Sequence, residues 1–88
     1  MSETRETRLK RLAMRSSRRG IKEMDLILGA YGRGRLDAMT PAELDLYEAL
    51  LDENDQDLYA WVTGQAVPPA ALAPLIQDIA AHTDLVRP

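Results

Sequence analysis

The densest group of side chains suited to chemistry is Arg18-Arg19-Gly20-Ile21-Lys22-Glu23-Met24-Asp25. It sets cations and carboxylates within one or two turns of each other around a glycine. A backbone without a side chain lets a partner approach closely, and Arg19 and Glu23 offer opposite charges beside it. That is the pattern of a recognition patch. Each piece also has a purely structural account: arginines at the end of one helix, Gly20 as the break, and Glu23 complementing the start of the next helix. On these residues alone both accounts stand.

The remaining constellations point away from catalysis. Gly29-Ala30-Tyr31-Gly32-Arg33-Gly34 has glycine spacing reminiscent of a phosphate loop. It lacks a preceding strand, an immediately following helix and a Lys-Ser/Thr pair, so it reads as a flexible turn. Asp52-Glu53-Asn54-Asp55-Gln56-Asp57 has the composition of a calcium loop but neither its glycine nor its distal bidentate glutamate, and reads as a solvated turn with a helix cap. His82 is the sole histidine and there is no cysteine. It therefore has no second ligand for a metal and no nucleophile to activate, and is assigned as a surface cation or cap. Ser16 and Ser17 have no nearby histidine. Trp61, at helical spacing from Leu58, reads as a core anchor. The expectation is no catalytic, cofactor-binding or metal site.

Eighty-eight residues suffice for one domain with a thin core, burying about 60–65% of the unfolded surface. With 45% apolar and 28% charged residues the chain is ordinary for a globular protein. No apolar run reaches spanning length. Net charge is −3, unevenly spread. Residues 1–20 hold seven Lys/Arg and two acids, a net +5, whereas residues 21–88 hold four Lys/Arg and twelve acids, a net −8. Such polarity fits either a charged partner surface or a basic first helix lying on an acidic body. The Arg-rich start resembles a mitochondrial presequence, but Glu3 and Glu6 interrupt it. The expectation is a bacterial cytoplasmic protein, or one of the mitochondrial matrix if eukaryotic.

The elements that must position these residues are all helical. Leu9, Leu12, Ala13 and Ser16 mark the buried stripe of a first helix over 4–18, with Arg15, Arg18 and Arg19 at its carboxyl end and Gly20 as a left-handed terminator. Ile21, Met24, Ile27, Leu28 and Tyr31 define a second, over 21–31, which Gly29, Gly32 and Gly34 release into a loop. Thr40-Pro41-Ala42-Glu43 is a capping box with proline at the first helical position, and Met39 and Leu44 form a hydrophobic staple. Leu44, Tyr47, Leu50 and Leu51 form the stripe of that third helix. A fourth is capped by Asn54 or Asp55, carries Asp57 in its first turn, buries Leu58, Trp61 and Val62, and ends at Gly64. After Pro68-Pro69, Leu72, Leu75, Ile76, Ile79 and Ala80 define a fifth, starting near Ala73 with Pro74 in its first turn. No segment alternates as a strand. The predicted fold is all-α: a compact five-helix bundle, a single domain with its core over 8–82 and flexible termini.

Arg19-Gly20-x-x-Glu23 resembles the Arg-Gly-x-x-Glu motif of the SdhE-like succinate dehydrogenase flavinylation (FAD assembly) factors, with Asp25 where an acid commonly follows. Asp55-Gln56-Asp57-Leu58-Tyr59-Ala60-Trp61 resembles the family's second signature, Asp-x-Asp-Leu-aromatic-x-Trp. The resemblance covers roughly residues 8–64. Two features depart from it: Gly29-Ala30-Tyr31, where many members carry a proline or a bulky aromatic pair, and Pro74. The resemblance implies a five-helix protein, not an enzyme, that binds the flavoprotein subunit of succinate dehydrogenase, and of the related fumarate reductase. It implies promotion of covalent FAD attachment to a histidine of that partner, with no cofactor held by the chain itself. The partner-binding residues carried over are Arg19, Gly20 and Glu23, with Arg18 and Asp25 adjacent. The alternative is a small nucleic-acid-binding or antitoxin-type regulator using the basic amino-terminal helix; a pI near 5.0 weighs against it.

Overall fold

A computed structural model describes residues 3–83. It contains five α-helices: α1 (Arg5–Ser16), α2 (Lys22–Arg35), α3 (Pro41–Leu51), α4 (Asp55–Val62) and α5 (Ala73–His82). A single 3-10 turn, Leu36–Ala38, follows α2. The all-α expectation holds for these residues. The expectation of flexible termini beyond 8–82 falls in part on residues 1–2 and 84–88, which lie outside the described residues.

Local signals account for most boundaries. Thr4 caps α1, its hydroxyl accepting from the Thr7 N–H at 3.1 Å. Thr40 accepts from the Glu43 N–H at 3.2 Å while Glu43 accepts from the Thr40 N–H at 2.8 Å, so the capping box is complete. Asn54 caps α4, leaving Asp55 as its first helical residue. Gly64, at φ +80°, is the left-handed residue after α4. Pro74 lies in the first turn of α5, where its missing N–H has no helical acceptor to lose.

Two boundaries differ from the expectation. Helix α1 ends at Ser16 with Ser17 as cap, so Arg18 and Arg19 lie beyond it and Gly20 is not its left-handed terminator. Helix α2 continues to Arg35, straight through Gly29, Gly32 and Gly34. Helical glycine costs about 1 kcal/mol against alanine, and packing outweighs that here. A Cβ on Gly32 would stand 3.3 Å from Ser16 Oγ, and one on Gly29 would stand 3.5 Å from Ser17 Cβ. The missing side chains let α1 and α2 approach closely.

The core gathers Leu12 from α1, Met24, Ile27, Leu28 and Tyr31 from α2, Leu44, Tyr47 and Leu50 from α3, Leu58 from α4 and Ile79 from α5. Helix α2 packs against α1, α4 and α5, which makes it the centre. Ala13 is exposed, contrary to the stripe expected of α1, and Trp61 is only partly buried against the core. Buried Ser16 bridges two elements: its Oγ lies 2.7 Å from the Leu12 carbonyl, to which it donates, and 2.6 Å from Tyr47 Oη. The Tyr31 ring stacks at a tilt on Tyr47, centroids 5.9 Å apart, and meets His82 edge-on at 5.5 Å.

Charge fixes how α1 lies on α3. Arg8 pairs with Asp45 at 2.6 Å and Glu48 at 3.1 Å, Arg11 with Glu48 at 2.8 Å, and Arg15 with Asp52 at 2.8 Å. The partners climb both helices in the same order, so α1 and α3 run parallel. The uneven charge of the sequence is in large part this seam. The Arg11 and Arg8 hydrogen bonds hold Glu48 below the usual carboxylate range. At the other end, Asp78 of α5 accepts from Tyr31 Oη at 2.6 Å and from Arg35 at 3.0 Å, and both bonds lower its pKa. Burial, then the bond to Asp78, raises that of Tyr31.

Candidate functional site

The turn between α1 and α2 is held from inside by one carboxylate of α4. Asp55 Oδ1 accepts from Arg19 Nε at 2.7 Å, and Asp55 Oδ2 accepts from the Gly20 N–H. Arg19 also donates from Nη1 to the Leu51 carbonyl at 3.0 Å and from Nη2 to the Glu53 carbonyl at 3.2 Å. These carbonyls sit at the end of α3 and in the α3–α4 turn, where helix termini leave acceptors unfilled. Asp25, in the first turn of α2, accepts from the Arg19 N–H. The turn is thus tied to α2, α3 and α4 at once.

The side chains of Arg19 and Asp55 are 9% and 13% exposed. A charge pair so far removed from water holds only if its other hydrogen-bonding capacity is met. The two carbonyls and the Gly20 N–H meet it here. Gly20 leaves room for the Asp55 carboxylate, which would have to shift to admit a side chain. A Cβ there would stand 2.9 Å from Asp55 Oδ2, closer than side-chain carbons approach.

The five sequence-predicted residues separate into two groups. Arg19 and Asp25 are engaged within the turn. Arg18 and Glu23 are exposed, and neither makes an ion pair or side-chain hydrogen bond among the described residues. Gly20 belongs to both groups: its N–H is bound inside, and the residue is exposed outside. The outer surface therefore presents a bare backbone, a free guanidinium and a free carboxylate on a turn that cannot easily deform. Such a surface can recognise a partner's charged and main-chain groups with little ordering cost on binding.

Sequence reasoning treated Asp55 as a cap and missed this contact, which lies 36 residues from Arg19. The available signal was that Arg19-Gly20 and Asp55 each open one of the two matched motifs. The structure joins those motifs physically. Among the described residues no cluster of His, Cys, Asp and Glu is placed to hold a metal ion, and no helix is long and apolar enough to cross a membrane.

The chain is similar to known proteins over the segment that carries this turn. The family described as "Flavinator of succinate dehydrogenase" matches residues 10–83. A protein of Meyerozyma guilliermondii named succinate dehydrogenase assembly factor 2, mitochondrial, is 48% identical over 61 residues, which are 69% of this chain and 45% of that protein. Proteins of the same name from Mycosarcoma maydis and Schizosaccharomyces pombe are 40% and 39% identical over 72 and 67 residues. Those segments are 82% and 76% of this chain but 30% and 48% of theirs. The chain thus spans less than half the length of these curated relatives. With most of its length matched, the chain belongs to the family of succinate dehydrogenase flavinators.

Proposed function

We propose that this chain is a non-catalytic assembly factor that binds the flavoprotein subunit of succinate dehydrogenase, and of the related fumarate reductase. It promotes covalent attachment of FAD to a histidine of that subunit. The flavin belongs to the partner, and the chain holds no cofactor of its own. Its place of work is the bacterial cytoplasm, or the mitochondrial matrix if the chain is eukaryotic; the names of the curated relatives carry the word mitochondrial.

The observation that carries the reading is the pinned turn. Asp55 fixes Arg19 and Gly20 from within, leaving the Gly20 backbone, Arg18 and the unpaired Glu23 carboxylate on the outside. The binding residues are Arg18, Gly20 and Glu23, framed by Arg19 and Asp25. The role is positional. Covalent attachment requires the partner's histidine beside the flavin with both held in a reactive arrangement, and a bound helper favours that conformer without touching the reacting atoms. The nucleic-acid alternative has less support, because Arg8, Arg11 and Arg15 of the basic helix are already paired with carboxylates of α3 and its C-cap.

In-gel flavin fluorescence of the flavoprotein, matured with and without this protein, tests the reading. A covalent-flavin band that requires the wild type and fades with Glu23→Ala is the expected result. An equal band in every lane would refute it. Gly20→Arg is the weaker probe, since any side chain there collides with Asp55 and disturbs the turn itself.

A further inference from the structure

Most cations of the described chain have a partner within it. Arg5 donates to the Asp37 and Met39 carbonyls, Arg35 pairs with Asp78, and Arg19 and the α1 ladder are paired as described. Arg18, Lys22 and Arg33 make no ion pair or side-chain hydrogen bond among the described residues. Their positions are related. Lys22, Leu26, Gly29 and Arg33 follow at i, i+4, i+7 and i+11, one stripe of α2. Gly29 of that stripe lies against Ser17, so the stripe borders the end of α1. There a shallow groove is lined by Thr7, Lys10, Met14 and Arg18, together with flanks of the paired arginines.

Among the described residues, two of the three large apolar side chains left exposed adjoin these cations, Met14 beside Arg18 in the groove and Leu26 on the α2 stripe with Lys22 and Arg33. Met14 and Leu26 are each 51% exposed, and the third, Val67, lies in the α4–α5 connection. Half-exposed apolar side chains beside the unpaired cations Arg18, Lys22 and Arg33, with Lys10 paired only to exposed Glu6, describe a docking surface whose partner is acidic and partly apolar.

We infer that this outer face of α1 and α2 docks an acidic, partly apolar surface of the flavoprotein partner, beside the Gly20–Glu23 turn. The inference rests on the proposed function and adds a second contact region, with its chemistry, to that site. Charge complementarity favours a protein over a nucleic acid. Phosphate binding gains nothing from Met14 and Leu26, and the whole chain carries a net −3. The face steers and retains the partner, and the turn then acts on the conformer that is bound.

Equilibrium binding to the purified flavoprotein tests this, read by fluorescence anisotropy of the labelled full chain at about 50 and about 300 mM salt. Lys22→Glu/Arg33→Glu, with an unchanged melting profile, should raise Kd about tenfold or more at low salt and flatten the salt dependence. Leu26→Ala should raise it several-fold, with the salt dependence retained. Should the charge reversals disturb folding, Lys22→Gln/Arg33→Gln gives a smaller shift of the same sign. Wild-type binding that none of these changes would overturn the inference and leave the proposed function standing. Failure of the wild type to bind the flavoprotein at all would remove both. Unchanged flavoprotein affinity alongside lost binding to a duplex DNA probe would also overturn it and give the face to nucleic acid.

Discussion

Arg18 and Arg19 are neighbours in sequence and opposites in structure. On the inner side of the turn, Arg19 is almost wholly enclosed, with a carboxylate and two carbonyls as acceptors. On the outer side, Arg18, Lys22 and Glu23 are exposed and have no partner among the described residues. The difference separates two uses of charge. Inner charges are costly to unpair because water cannot replace the lost partner. Outer charges contribute little to folding and remain available to another molecule. Substitutions inside should therefore act on stability, and substitutions outside on binding.

The largest effect is expected from Asp55→Ala. It strands the Arg19 guanidinium and leaves the Gly20 N–H without its acceptor, at a cost of about 3 kcal/mol, the low end for breaking an enclosed pair because two carbonyls still receive Arg19. In a domain of this size that lowers Tm by more than about 10 °C, which calorimetry would detect. Adding Arg19→Ala to Asp55→Ala should cost less than the sum of the two single changes, since the second removes a charge the first has stranded. Strict additivity would mean that the inner pair is uncoupled, and the contrast between the two sides would fail. Gly20→Ala comes next. The added methyl must displace a carboxylate that Arg19 holds in place, an overpacking cost of about 1–3 kcal/mol readable from a urea midpoint.

What the sequence revealed of these regions follows the range of the forces involved. Thr40-Pro41-Ala42-Glu43, the cap at Asn54 and the placement of Pro74 act within four residues, and each was legible. The apolar stripes gave all five helices because burial imprints a period on the chain. The glycines of α2 misled because their benefit lies on another helix, at Ser16 and Ser17, while their cost is local. Gly20 was expected to take a left-handed conformation and does not, and the room it leaves for Asp55 was not foreseen. The Arg19–Asp55 contact left no periodic trace, so the two motifs stood apart until the fold joined them. Which of Arg18, Arg19, Gly20, Glu23 and Asp25 face inward was not legible from residue type.

The α1–α3 seam lies between the two extremes, being partly screened. Glu48→Gln removes the carboxylate shared by Arg8 and Arg11, and its cost should be smaller than that of Gly20→Ala and should shrink further in high salt. The sign with pH is fixed by the directions of the shifts. Glu48 and Asp78 titrate lower in the folded protein than their ordinary values of 4.5 and 3.8, Glu48 chiefly through Arg11 and Asp78 chiefly through Tyr31. Folding thus favours their charged forms. Their contribution is fully present above those ordinary values and is lost as pH falls through the lowered ones. Melting curves should be flat near neutrality and drop in acid, and the acid drop should be shallower for Glu48→Gln. An identical acid profile would assign the loss to other carboxylates.

Glu23→Ala should have the smallest effect on stability and is the most informative about function. Its carboxylate is exposed, accepts no hydrogen bond among the described residues and sits in the first turn of α2, where it complements the helix dipole. Removing it should change folding free energy by no more than about 0.5 kcal/mol, within the range of ordinary surface substitutions. Covalent flavinylation of the partner should nonetheless fall. Asp55→Ala should lower flavinylation as well, but only along with its loss of stability, and cooling should restore it in part as the folded population recovers. Cooling should not restore Glu23→Ala, whose folded population never fell. If both variants lose activity only where they lose folding, the outer side of the turn has no role of its own and the contrast with the inner side is one of exposure alone.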